Sequence, residues 1–201
     1  MFETEAFLIK SYEVLYFMGN ISFLTGTNAT ATRSIDEAIY QLENTSVLFL
    51  NSWNRVPKNL KKAARTSGEA MVYLDHIVNE IMRSRDYLKS SSIYKGSPLK
   101  NLLDVHKGIA LSPVTRIEQA NIEATGPGNG ILPNPGSPIT MERLLNKIKH
   151  RRHDYANFRV GQNNEHTFII TVDKPNQQPD SIVEFVVRDF CDHCTSISAI
   201  I

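Results

Sequence analysis

Apolar positions repeat at helical spacing along most of this chain and give way to alternation only near its end. Residues 3–24 are dense in Phe, Leu, Ile, Tyr and Met on every side, which predicts a largely buried helix. A second helix is predicted from Ser34, as N-cap with Glu37 three residues later, to about Leu50. Pro57, suited to a first helical turn, opens a third helix that runs to about Lys89. Its face is held by Leu60, Ala64, Met71, Leu74, Val78, Ile81 and Leu88. A Ser-rich stretch with Gly96 and Pro98 breaks the chain before a short helix around Leu99 to His106.

Periodicity is lost from Gly108 to Ser137. Gly126, Pro127, Gly128, Gly130, Pro133, Pro135 and Gly136 predict a long loop there, with a helical turn near Thr115 to Ala124. A loop of that length is either functional or poorly ordered. It lacks the Gly-Lys-Ser/Thr ending of a phosphate-cradling Walker sequence, so its glycines are read as turn formers. Ser137-Pro138 reads as the opening of a further helix through Met141 to about Tyr155. Phe168, Ile170 and Val172 then alternate with polar neighbours, and Ile182 to Val187 is rich in β-branched residues. These predict two antiparallel strands joined by a turn over Lys174 to Asp180, with Asn157 to Val160 as a third strand and a final helix around Phe190 to Ile200.

The fold class expected from this pattern is mainly α. It is a helical bundle-like domain with a small C-terminal antiparallel β meander and a terminal helix (α+β). One domain over residues 1–201 is expected, helical over residues 1–156 apart from the loop 108–137, and closed by a small sheet plus helix over 157–201.

Composition narrows the class without naming a function. Hydrophobic residues make up 41% and charged residues 21%, as in ordinary globular proteins. With 22 basic against 21 acidic residues there is no global field to steer the chain toward nucleic acid or lipid. Glu3 and Glu5 stand where a basic leader would begin, and Val14 to Thr32, although free of charge, is too polar for a membrane span. Two cysteines, Cys191 and Cys194, make no disulfide framework and fit a reducing compartment. The expectation is a cytoplasmic protein that does not contact a membrane.

Locally the charge is uneven. Residues 1–50 hold 2 basic and 6 acidic side chains, whereas residues 51–107 hold 11 and 5. Lys58, Lys61, Lys62 and Arg65 fall at offsets that place them on one helix face, which reads either as a solvated face or as a phosphate-contacting stripe. A denser cluster follows: Arg143, Lys147, Lys149, His150, Arg151, Arg152 and His153 on one predicted helix, with Arg159 beyond it. Guanidinium and imidazole groups together hold anionic oxygens, and cations also suit the last turns of a helix. The leading reading is a non-enzymatic binding protein. Its basic faces, with Lys58, Lys61, Lys62, Arg65, Arg143, Lys147, His150, Arg151 and Arg152, would engage nucleic acid or another anionic partner.

Arg188-Asp189-Phe190-Cys191-Asp192-His193 sets an Arg, a polar residue and three further residues before a His. This six-residue run resembles the active-site motif of the HEPN superfamily of helical ribonucleases and toxins. The resemblance implies metal-independent action on an RNA backbone by Arg188 and His193, and Arg143 with His150 fits the same motif at looser spacing. A third reading is a homo-oligomeric interaction module in which the long helices pair. Cys191-Asp192-His193-Cys194 offers half of a zinc site, which His150, His153 or His166 would have to complete. No metal and no cofactor is expected.

Overall fold

The computed structural model describes residues 34–201. The helix expected over residues 3–24 lies outside the described residues. The described chain runs α1 (Ile35–Trp53), α2 (Leu60–Ser90), a 3-10 turn (Tyr94–Gly96), α3 (Pro98–Leu103), β1 (His106–Leu111) and α4 (Arg116–Ala124). It continues through β2 (Ser137–Thr140), α5 (Met141–Lys149), β3 (Arg151–Val160), β4 (His166–Asp173), β5 (Pro179–Val186) and α6 (Val187–Ser198). All neighbouring strands are antiparallel, in the order β2-β1-β5-β4-β3.

The mainly helical expectation is therefore corrected to a mixed α/β fold built on a five-stranded antiparallel sheet. Three local readings produced the error. Where the expected short helix ends and the expected loop begins, His106–Leu111 forms β1, which pairs with both β2 and β5. Ser137-Pro138 opens a strand and not a helix, because Ser137 pairs with Ala110 and Pro138 with Ile109 at the sheet edge, where a missing N–H costs no ladder bond. The helix that follows begins only at Met141, with the Thr140 hydroxyl accepting from Arg143 N. It ends at Lys149, six residues before the expected end, because its apolar period stops with Ile148 and Arg151 turns back to donate to the Ile148 carbonyl at 3.1 Å.

Elsewhere the local signals act as read in part. Ser34 caps α1 by accepting from Glu37 N at 3.2 Å, although the Glu37 carboxylate takes the Gln41 amide instead of closing a capping box. Pro57 stands outside α2; Asn59 is the N-cap, accepting from Lys62 N. The helical turn in the long loop is α4, and it carries a complete capping box between Thr115 and Glu118. The β4–β5 hairpin falls where alternation puts it, and the terminal helix begins three residues before the expected Phe190, at Val187, which the β-branched run assigns to the strand.

β4 is buried from His166 to Val172, so both sheet faces need cover. Phe168, Ile170 and Val172 join one large core with α1, α2, α3, α5 and α6. A line of rings runs through it. Trp53 stacks with Phe49, Phe49 lies 3.8 Å from the His166 ring and 4.9 Å from Phe158, and Phe168, Phe185 and Phe190 continue the contact. On the opposite face Ile169 and Ile182 pack with Val114 and Ile122, against Leu111 and Leu132.

The long loop is held mainly by Asn157. Its amide donates to Ile122 O at 2.6 Å and Gly126 O at 2.9 Å, while its Oδ1 accepts from Gly128 N at 3.1 Å and Phe158 N at 2.8 Å. Gly128 has a φ of +84°, and a Cβ there would overlap the Trp53 indole, so both the backbone and the close approach require glycine.

Two consequences follow for stability. Asn157→Ala leaves several buried backbone groups unpaired, and urea unfolding should show a loss of about 2–3 kcal/mol together with faster proteolysis between residues 125 and 136. An unchanged midpoint would mean that the loop is held by other contacts. Burial lowers the His166 pKa to about 3, and its Nε2 lies 3.2 Å from Ser67 Oγ. A folded-state pKa below the unfolded value means that the unfolded chain binds the extra proton. Stability should therefore be full above the unfolded value of about 6.5 and fall by up to about 1.4 kcal/mol per pH unit as pH drops toward 3. In urea titrations across that window the His166→Asn variant should show a shallower dependence than the parent.

Candidate anion-binding surface

The six residues between α1 and α2 form an exposed corner. The Val56–Pro57 peptide is cis, and the Asn59 N–H donates to the Ser52 carbonyl at 3.0 Å. Arg55, Lys58 and Lys61 line a shallow groove, Lys62 follows exposed on the first turn of α2, and among the described residues none of the four has a carboxylate partner. The Lys58 ammonium sits 4.2 Å above the Trp53 ring, a cation–π contact that holds it beside the groove. Arg65, one turn further along, is paired with Glu69 at 2.9 Å.

The start of α2 concentrates positive potential. The helix is 31 residues long and has no acidic residue in its first turn. Asn59 satisfies the Lys62 N–H and the Asn59 carbonyl takes that of Ala63. The N–H groups of Leu60 and Lys61, in the first turn, have no acceptor within the helix. Lysines here lie against the positive end of the helix dipole, where an anion is favoured.

The second basic cluster does not form one surface. Arg143 and Lys147 are on α5, His150 is its C-cap, and Arg151 and Arg152 are on β3, so the cluster is divided between a helix and a strand. Arg143 and His150 are exposed. The other three are committed to carboxylates of this same chain. Lys147 pairs with Asp180, and Arg152 pairs with Asp154 and with Asp173, the latter at 2.8 Å. Arg151, its side chain only 7% exposed, grips Asp75 of α2 through both terminal nitrogens at 2.5 and 2.8 Å. Arg159 pairs with Glu184 at 2.8 Å.

The Arg188 and His193 of the motif do not converge. Both lie on α6, and five residues of helix separate them by about 140° around the axis. Arg188 is exposed, whereas His193 is buried with Nε2 2.8 Å from the Leu102 carbonyl. Burial lowers the His193 pKa. Arg143 and His150 lie on one side of α5 but two turns apart, about 10 Å along the axis. Cys191 and Cys194 are free, buried in the core, and their thiols are pushed up by burial, which disfavours the thiolate. Among the described residues no group of three or more His, Cys, Asp or Glu side chains is placed to hold a metal. No helix among them is long and apolar enough to cross a membrane.

No known family, curated protein or solved structure matches this chain. The geometry alone must carry a functional reading. It separates the two basic clusters: in the first, Lys58, Lys61 and Lys62 are without carboxylate partners among the described residues while Arg65 pairs with Glu69, and the second is largely neutralised within the fold. Arg55 belongs to the first group and sequence reasoning missed it. Its offset from Lys58 had no helical meaning, because residues 54–59 are not helical.

The two clusters should respond differently to substitution. Lys61→Glu with Lys62→Glu should leave stability within about 0.5 kcal/mol, as for other exposed positions. Arg151→Ala should cost about 1–2 kcal/mol, less than a fully buried pair because Asp75 remains 45% exposed. Thermal unfolding of both variants checks the contrast, and equal losses would contradict it.

Proposed function

We propose that this protein binds an anionic partner, of the nucleic-acid class, through the α1–α2 corner. The observation that carries the reading is the set of four cations, Arg55, Lys58, Lys61 and Lys62, gathered at the start of α2 without carboxylate partners among the described residues. A fold that pairs Lys147, Arg151, Arg152 and Arg159 internally has carboxylates at its disposal, yet its described residues offer none here. Exposed cations at a helix start, where the first N–H groups have no acceptor within the helix, are suited to phosphate oxygens. Hydrogen bonding to bases is not part of the reading, which makes the binding indifferent to sequence.

Arg65 supports the surface less, since Glu69 shares its charge. Arg143 and His150 are exposed but belong to another element. The corner acts by charge and needs neither metal nor covalent chemistry.

Fluorescence anisotropy of labelled single-stranded RNA tests this. Four phosphate contacts predict a slope of about −3 in a plot of log affinity against log salt, given roughly −0.7 per contact on single strands. Lys61→Glu with Lys62→Glu should weaken binding at least tenfold and flatten that slope by about half, whereas Arg143→Glu should change neither by more than about twofold. Absence of binding by the parent protein at low salt, or undiminished binding by the double variant, would overturn the assignment.

A further inference from the structure

Among the described residues, the sheet face that carries α4 is covered over only some of its length. Ile169 and Ile182 lie under Val114 and Ile122. One row further along, Arg159 of β3 stands opposite Thr167 of β4, which stands opposite Val186 of β5. Arg159 and Thr167 line a groove of about 330 Å³ there with Lys107, Glu165, Glu184 and Asp189. That volume is at the small end of the range for small-molecule sites.

Three polar atoms of these lining residues are buried without a hydrogen-bond partner among the described residues: Arg159 Nε, Glu165 Oε2 and Thr167 Oγ1. Thr167 is 2% exposed and sits within a strand of the sheet. Buried polar groups are nearly always paired, so a donor, an acceptor and a hydroxyl left unpaired at one groove mark a place built for a ligand. His166 Nδ1, the other such atom among the described residues, belongs to the ring that stacks on Phe49 beneath the helices.

Charge restricts what can occupy the groove. Arg159 Nη2 donates to Glu184 Oε2 at 2.8 Å, which neutralises that pair while leaving the Arg159 Nε–H available. Glu165 and Asp189 have no cationic partner among the described residues, and Lys107 has no carboxylate among them. The remaining balance is two negative charges against one positive. We infer that this groove binds a small primary amine that carries an oxygen acceptor, the chemistry of an amino acid or its amide. The ammonium pairs with Glu165, and the acceptor oxygen takes hydrogen bonds from Arg159 Nε and the Thr167 hydroxyl. This site is separate from the α1–α2 corner and shares no residue with it.

Thermal-shift titration of the full chain with the common L-amino acids and their C-terminal amides provides the test, with the deaminated carboxylic acids as controls. At least one amine should raise Tm with increasing concentration, and its deaminated counterpart should not. A preference for the amide identifies a neutral acceptor, and a preference for the acid identifies a carboxylate; either supports the site. Thr167→Val and Glu165→Gln should each weaken that binding about tenfold, the loss of one hydrogen bond to a charged or buried group. Without ligand, Thr167→Val should not lower Tm, since it removes a hydroxyl that has no partner among the described residues. Lys61→Glu with Lys62→Glu should leave the titration unchanged. Should Thr167→Val fail to fold, Glu165→Gln carries the test alone. No shift with any amine, equal shifts with the deaminated acids, or binding indifferent to Glu165→Gln would overturn the inference.

Discussion

Burial of β4 on both faces is the constraint around which the described fold is arranged. A strand sealed from His166 to Val172 demands apolar cover on each side, and the two sides obtain it differently. Phe168, Ile170 and Val172 meet a continuous helical layer joined by the rings that run from Trp53 to Phe190. Ile169 meets α4 and the segments that flank it. The segment after α4 has little periodic side-chain packing of its own, so its backbone must be satisfied by a side chain of the sheet, and Asn157 does this. α4 itself is tied to the end of β4 through Gln119, which donates to Val172 O at 2.9 Å, and Arg116, which grips Asp173 at 2.9 and 3.0 Å. The groove beside Thr167 lies where this second layer stops.

Electrostatics follows the same economy of position. Several charges near the sheet are paired across elements: Arg151 joins β3 to α2, Lys147 joins α5 to β5, and Arg159 joins β3 to β5. Pairing at partly buried positions fixes how elements dock and leaves those cations little potential to offer a partner. At the α1–α2 corner no described acidic side chain pairs with the four cations, so their field extends into solvent. Density of basic residues in the sequence is therefore a poor guide to where a partner would be attracted. The denser run, Arg143 to Arg152, is the more neutralised of the two.

The histidines show how much a role depends on surroundings. His166 and His193 are both drawn toward the neutral form by burial, one stacked on Phe49 and the other bonded to a backbone carbonyl. Neither is poised to exchange a proton with solvent. The short motif that resembles a nuclease site places its Arg and His on different sides of α6, which the spacing alone implies once the segment is helical.

By itself the sequence determined the elements whose stability is local. The Ser34 and Thr115 caps, the long apolar face of α2, the alternation of β4 and β5 with their turn, and the terminal helix are all written within a few residues of where they act. Tertiary structure alone decided β1, β2 and the first half of β3. His106–Leu111 is a strand because Ile109 finds Glu184 on one side and Pro138 on the other. Ser137-Pro138 carries a helix-opening signal that edge pairing overrides, and Arg151-Arg152 extends because Asp75 and Asp173 await it on other elements. The same applies to both sites. A lysine without a carboxylate and a buried threonine without a hydrogen bond among the described residues are defined by their neighbours, and neighbours are set by chain segments far away in sequence.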